Sequence, residues 1–175
     1  MAVEYFGNND NGDSNDVSYG YSWWTDAGYV CPGVGVVDVV SLDINIADIA
    51  SGNVRCAIFD TSKNFVMQWD NQYAPGGTGW MSKTAFTDQG GTPIDTPQLT
   101  GGTTYLLVLT DDGTVKFYFQ TSSTSSIIAT DYTAGFPAAL SGESAHTLEV
   151  CIRCAVETGG GSIVQLIQAE RRRRS

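Results

Sequence analysis

The sequence is short of charge, and of basic residues in particular. Charged residues make up 16% of the 175 residues, below the ~25% of typical soluble proteins. Residues 1–170 hold only five basic residues against 19 acidic ones, a balance of −14, and the other four basic residues are the run Arg171, Arg172, Arg173 and Arg174. Because so acidic a body repels nucleic acid, we expect no nucleic-acid partner.

Long apolar runs are also missing. The longest is the five-residue run Tyr105–Leu109, whereas a membrane helix needs about 20 apolar residues. The first six residues have neither a basic region nor an apolar stretch of the kind that opens a secretory signal. We therefore expect no membrane partner and no classical secretion route.

The common catalytic signatures are absent from the sequence. There is no Gly-x-Ser-x-Gly motif, no glycine loop leading from a strand into a helix, and a single histidine, His146. The four cysteines are too few for a disulfide scaffold. Cys151 and Cys154 have CxxC spacing, but on a strand residues three apart face opposite sides, so we expect small buried hydrophobes or one inter-strand disulfide in preference to zinc. These absences predict a protein that is not an enzyme.

What the sequence does contain is alternation with a period of two. In Val40–Ile46 the apolar residues take every second position, which predicts a strand with one buried and one wet face. The turn Asp111–Gly113 predicts a tight hairpin between two strands. The other predicted strands cover residues 53–60, 65–69, 79–86, 103–110, 115–120, 126–130 and 147–156. Many short strands at this spacing predict an all-β, antiparallel jelly-roll β-sandwich over residues 1–158.

Two segments lie outside this rhythm, and the first is an N-terminal loop rich in Asn and Asp. Seven of the nine residues in Asn8–Asp16 are Asn or Asp. Their oxygens, with Asp10, Asp13 and Asp16 supplying carboxylates, are ligands that Ca²⁺ accepts, although the spacing is not that of an EF-hand. The alternative, which we favour, is a solvated loop built on Asx-turns, with no cofactor.

The second segment is a C-terminal arm over residues 159–175. A glycine-rich joint leads into a strip that can form a strand or a short helix, with Ile163, Leu166 and Ile167 on one helical face, and then into Arg171–Arg174. The strip can close its own sheet, which is the geometry we favour for the strip itself, or pair with the edge of a neighbouring one. The arginines are either a solvated tail or a docking segment for an acidic neighbour, and we favour docking.

Aromatic residues are the strongest signal for a ligand. Trp23 and Trp24 lie in one cluster, and Tyr73 and Trp80 flank a glycine-rich loop. Flat rings beside Asn, Asp and Gln can hold sugar rings, so these four residues are a candidate carbohydrate site. Because neighbouring residues of a strand face opposite sides, only one of Trp23 and Trp24 can be available to a ligand.

The middle of the chain resembles a known pattern. The segments Asn53–Asp60 and Leu99–Leu109, with Trp80 between them, resemble small jelly-roll domains of bacteriophage virion proteins (decoration proteins and tail fibres) and of bacterial surface proteins. The resemblance concerns residues 30–120 and implies fold more than task.

This resemblance implies a non-enzymatic structural protein, most plainly a phage capsid decoration subunit located in the virion. Its expected partners are further copies of itself or capsid and other virion proteins. The alternatives are a carbohydrate-binding module or receptor-binding fibre tip, and a self-assembling extracellular filament subunit.

Overall fold

The fold is all-β and antiparallel, as predicted. A computed structural model describes residues 1–12, 14–17, 21–49, 52–113, 115–130 and 132–159. None of these residues is helical, so the described chain has no helix that could cross a membrane. The described strands are β1 (Ala2–Gly7), β2 (Ser14–Val17), β3 (Ser22–Thr25), β4 (Tyr29–Val30), β5 (Gly35–Ile49), β6 (Val54–Asp60), β7 (Phe65–Trp69), β8 (Gly79–Lys83), β9 (Phe86–Thr87), β10 (Gln98–Gly101), β11 (Thr104–Asp111), β12 (Val115–Ile128), β13 (Ser144–Val150) and β14 (Ile152–Thr158).

The strands form one curled sheet. Its hydrogen-bonded order is β1-β14-β5-β12-β3-β11-β6-β7-β9, with β2, β4, β8, β10 and β13 pairing alongside, and it bends into a half-barrel. Strand β3 joins the two halves, because it pairs with β12 on one side and β11 on the other. The jelly-roll arrangement within this all-β fold stays a prediction.

The curl brings the two halves face to face around the main core, whose largest buried side chains include Leu42, Ile44, Ile46, Trp69, Phe117 and Phe119. The indole Nε1 of Trp69 in β7 donates to the carbonyl of Leu42 in β5 at 3.2 Å, and both residues are fully buried. Gly7 allows the closest approach: its φ is +119°, and a Cβ there would lie 2.4 Å from the carbonyl oxygen of Ile152. Glycine is therefore the residue that fits at the end of β1.

A second, smaller core lies on the outer face of β6 and β11. Its buried side chains are Trp24, Ala57, Phe59, Leu106, Val108, Ile128, Phe136 and Leu140. Phe136 and Leu140 come from the segment that connects β12 to β13, so this connection covers a sheet face that would otherwise be exposed to water.

The predicted hairpin at Asp111–Gly113 is wrong. The turn does join β11 to β12, but these strands do not pair in the described sheet, because β3 lies between them. The turn instead contacts the connection from β5 to β6: the carboxylate of Asp112 accepts hydrogen bonds from the backbone and side-chain nitrogens of Asn53, each at 2.9 Å. The two connections therefore run side by side at one end of the fold.

The predicted strand at 147–156 is interrupted at Cys151. The backbone N–H of Cys151 donates to the carbonyl of Tyr118 in β12, and its carbonyl accepts from the N–H of Asn45 in β5, both at 3.0 Å. The chain thus changes its pairing partner from β12 to β5 at this residue, and β13 gives way to β14.

The predicted wet face of β5 is also wrong. Ser41, Asp43 and Asn45 do face away from Leu42, Ile44 and Ile46, but they are only 7%, 1% and 3% exposed. Long side chains from the neighbouring strands β14 and β8 stand over this outer face. These covering side chains form the first candidate site.

Candidate functional site

An arginine held between two rings dominates the outer face of the sheet. Arg153 in β14 lies opposite Asp43 in β5, and its Nε donates to the Asp43 carboxylate at 3.0 Å. Its guanidinium carbon lies 4.0 Å from the ring centroid of Trp80 and 4.4 Å from that of Tyr5. These distances are within the range of cation–π contact, so the arginine and both rings hold one another in fixed positions.

Two surface recesses adjoin this cluster. One, of about 370 Å³, is lined by Tyr73 and residues 76–81. The other, of about 420 Å³, is lined by Asn11, Gly12, Asn45, Tyr118 and residues 78–80. Trp80 belongs to both linings, so a single indole stands at their common boundary.

The structure divides the four predicted carbohydrate residues into two pairs. Trp23 and Trp24 are 5% and 1% exposed, in the main and the second core respectively, so neither is available to a ligand. They face opposite ways, as expected for neighbours in a strand, but the connection before β13 covers the second face. Tyr73 and Trp80 are half-buried and line the same recess.

Of the predicted Ca²⁺ ligands, only Asp10 has a described side chain. Its carboxylate accepts a hydrogen bond from Gln120, and its backbone N–H donates to the side chain of Asn8 at 3.1 Å, as in an Asx-turn. Asp13 and the side chain of Asp16 lie outside the described part. Among described residues no group of three or more His, Cys, Asp or Glu could hold a metal ion.

The predicted partner-binding residues, Ile163, Leu166, Ile167 and Arg171–Arg174, lie outside the described residues. The sheet end that precedes them is described. Thr158, the last residue of β14, pairs with Ala2 of β1, and Gly33 packs close enough that an added Cβ would lie 3.1 Å from Thr158 Cγ2.

This end of the sheet is apolar. The large hydrophobic side chains exposed among described residues are Met1, Val3, Tyr5, Val30, Val34 and Val36. They lie on or beside β1, on β4 next to β1, and at the start of β5, and we call them the apolar end. Val34 and Val36 are 95% and 67% exposed. Strand β1 is the terminal strand of the sheet, with no described partner on its other side.

The single histidine packs against a buried ring, and one of its ring nitrogens is hydrogen-bonded to the backbone. The ring of His146 packs edge-on against Trp23 at 4.7 Å, and its Nδ1 accepts the backbone N–H of Leu148 at 3.1 Å. Ser125, paired with His146 in the sheet, donates its hydroxyl to the carbonyls of His146 and Leu148. The imidazole is therefore not positioned to activate this hydroxyl.

All four cysteines are buried as free thiols, so the disulfide alternative is wrong and the buried-hydrophobe alternative is confirmed. Burial raises the pKa of Cys31 to about 11. Burial also raises the pKa of Cys56 and Cys154 well above the ordinary value, and the charge of Asp43 contributes at both sites. Thiolate, the reactive form, is therefore scarce in the fold.

We expect the native protein to resist alkylation by iodoacetamide at pH 8. A rise in the pKa of Cys31 from 9.0 to about 11 lowers the fraction of thiolate at pH 8 about 100-fold. Since thiolate is the reactive form, Cys31 should react about 100-fold more slowly than an exposed thiol. Mass spectrometry should find all four thiols modified within minutes in 6 M guanidinium and almost none in buffer. A thiol that reacts rapidly in the native protein would contradict this placement.

Comparison with protein-family models, with curated proteins and with solved structures finds no match to this chain. Functional interpretation therefore depends on the two surfaces described above.

Sequence reasoning missed Arg153, Asn45 and Tyr118. The signal for Arg153 was present, since it is the only charged residue in the apolar run Val150–Val156. Asn45 and Tyr118 carried no comparable signal, because their meeting at a recess follows from the pairing of β12, β14 and β5 around Cys151.

Proposed function

We propose that the protein is a non-enzymatic structural subunit that builds or decorates a larger protein assembly through its apolar end. The observation that carries this proposal is the position of the exposed large hydrophobic side chains, which gather on and around the terminal strand β1. An edge strand beside exposed apolar side chains is a template for pairing with another chain. Large exposed apolar patches mark sites of protein association.

The occupant that fits this end is a second copy of the chain, contributing its strip around Ile163, Leu166 and Ile167. The strip follows β14 within a few residues, and β14 ends at the apolar end itself. The charges are complementary as well, because Arg171–Arg174 carry +4 and residues 1–170 carry −14. Backbone hydrogen bonds at the β1 edge and charge-assisted bonds from the arginines would act together.

The setting we propose is the virion of a bacteriophage, where the subunit would decorate or build the particle. The support is the resemblance to jelly-roll virion domains, whose segments coincide with strands here: Asn53–Asp60 with β6, Trp80 with β8 and Leu99–Leu109 with β10 and β11. A jelly-roll topology within the all-β fold is part of this proposal. A self-assembling extracellular filament is the nearest variant, since it uses the same contact between copies.

The test is the mass of the full chain by light scattering on size-exclusion fractions. At low salt we expect species larger than the 18.7 kDa monomer. At about 1 M salt, where the Debye length is ~3 Å, the arginine contribution is screened and the mean mass should fall. Truncation after Gly159 should yield a monomer whose circular dichroism matches that of the full chain.

Substitutions in the apolar end test its contribution to self-association separately from that of the C-terminal arm. The double variant Val34→Ser/Val36→Ser should shift the full chain toward monomer, whereas Thr61→Ala, in an exposed turn, serves as the matched control and should not. An 18.7 kDa monomer at every concentration and salt, unchanged by truncation, would overturn self-association.

The second candidate is a carbohydrate-binding module or receptor-binding tip. A specific observation favours it, namely that Tyr73 and Trp80 line one recess beside the stacked Arg153. With Trp23 and Trp24 buried, this candidate depends on the surroundings of Trp80.

A further inference from the structure

We propose that the larger recess beside Trp80 is a binding site for a neutral sugar, with Asn45 and Tyr118 as its polar contacts. This inference rests on the second candidate function and specifies its ligand and polar contacts. It does not depend on assembly, because the recess lies on the outer face of β5 and β8 and includes no residue of the apolar end.

Trp80 is held in place before any ligand arrives. Its strand β8 pairs with β5, where Trp80 lies opposite Asn45. The guanidinium of Arg153 lies over its ring at 4.0 Å and is itself fixed by Asp43. Trp80 is half-buried and lines both recesses, so part of its indole borders open space beside the cation. A ring fixed in this way loses little conformational entropy when a ligand stacks on it.

Two polar side chains from different strands meet at the recess. Asn45 of β5 is 3% exposed as a whole residue and lines the recess. Tyr118, from β12, lines the same recess. An amide offers donors and an acceptor and a phenol hydroxyl offers one of each, so together they can form hydrogen bonds to the hydroxyls of a bound molecule.

The two recesses favour an uncharged ligand. No charged side chain lines either recess, and the charge of Arg153 is paired with Asp43. The rest of the body is strongly acidic, which disfavours phosphates and sugar acids. A ring face next to an amide and a phenol hydroxyl suits a pyranose, whose apolar face stacks while its hydroxyls form hydrogen bonds.

The size of the site fits a short glycan. The recesses of about 370 and 420 Å³ adjoin at Trp80 and fall at the lower end of small-ligand sites. A sugar ring of about a dozen non-hydrogen atoms is expected to bind with a Kd on the order of 1 mM. Repeated copies in an assembly would raise that affinity through multivalency.

The experiment is saturation-transfer NMR on the full chain with neutral gluco-, galacto- and manno-trisaccharides. We expect at least one of them to bind with a millimolar Kd, and glucuronic acid not to bind. Trp80→Ala and Asn45→Ala should each weaken binding at least tenfold. Because Trp80 and Asn45 also pack in the fold, Tyr118→Phe, which removes only a hydroxyl, provides a milder variant with an expected loss of about fivefold.

Tyr5→Phe is the matched control for Tyr118→Phe. It also removes one phenol hydroxyl from a ring beside Arg153, but Tyr5 does not line the recess, so binding should not change. Failure of all three neutral trisaccharides to bind the folded chain would overturn the proposal and indicate a recess that holds water alone. Equal binding by wild type, Asn45→Ala and Tyr118→Phe would also overturn it.

Discussion

Replacing Arg153 with methionine is expected to lower the free energy of unfolding by about 3–5 kcal/mol, the usual loss when one partner of a buried ion pair is removed. The Asp43 side chain is 1% exposed, and its Oδ2 accepts from Arg153 Nε at 3.0 Å. Its Oδ1 is buried without a hydrogen-bond partner in the described chain. The methionine would fill the space of the arginine stem while leaving the carboxylate buried without its cation.

Replacing the other partner of the ion pair, Asp43, should lower the free energy of unfolding by less. In Asp43→Asn the guanidinium keeps its contacts with Trp80 and Tyr5, and the side chain of Arg153 is 22% exposed, so water can solvate part of the charge. We expect a loss of about 1–2 kcal/mol, near that of a single hydrogen bond to a charged group. The double variant Asp43→Asn/Arg153→Met carries no buried charge and should recover most of what Arg153→Met loses.

Urea denaturation of the wild type and the three variants, followed by far-UV circular dichroism, measures these differences as a double-mutant cycle. The decisive comparison is between the stability of Arg153→Met and that of the double variant. If Arg153→Met and the double variant unfold at the same urea concentration, Asp43 does not depend on Arg153 and the ion pair does not organise this face.

The outer face of β5 shows which part of the fold local sequence could predict and which part it could not. Alternation over Val40–Ile46 identified the strand and the two directions of its side chains, because a period of two is a property of the backbone. It could not identify the burial of the polar side, since the covering residues come from elsewhere in the chain: Arg153 lies 110 positions from Asp43. The same holds for Trp24, which shares the second core with Phe136 from a connection with no regular pattern.

Strand pairing was harder to predict than strand position. Asp111–Gly113 has the composition of a hairpin turn, and it is a turn, yet β3 lies between the strands that it joins. Turn chemistry fixes the local path of the backbone, whereas pairing depends on contacts distant in sequence, such as Trp23 in β3 with Ile127 in β12. The candidate sugar site has the same origin, because Asn45 and Tyr118 meet through pairing around Cys151.

Trp69→Ala should be the most damaging single change to the core, with an expected loss of about 3–5 kcal/mol. Trp69 is 0% exposed, and its ring lies between the two halves of the curled sheet, where its Nε1 bonds to Leu42. Truncation would leave a cavity where β7 packs against β5. Since small domains are stable by only about 5–15 kcal/mol, this loss is a large share of the total.

One further variant separates the contribution of the Trp69 ring from that of its hydrogen bond, and another serves as a control. Trp69→Phe keeps an aromatic ring but removes the N–H donor to Leu42, so we expect an intermediate loss of about 1–2 kcal/mol. Trp80→Ala is the matched control, the same substitution at a half-buried tryptophan on the outer face, and should cost less than Trp69→Ala. Urea midpoints followed by circular dichroism give the comparison without relying on tryptophan fluorescence. Equal losses for Trp69→Ala and Trp80→Ala would mean that the two halves of the sheet are not held together at Trp69, and the curled arrangement would have to depend on other contacts in the main core.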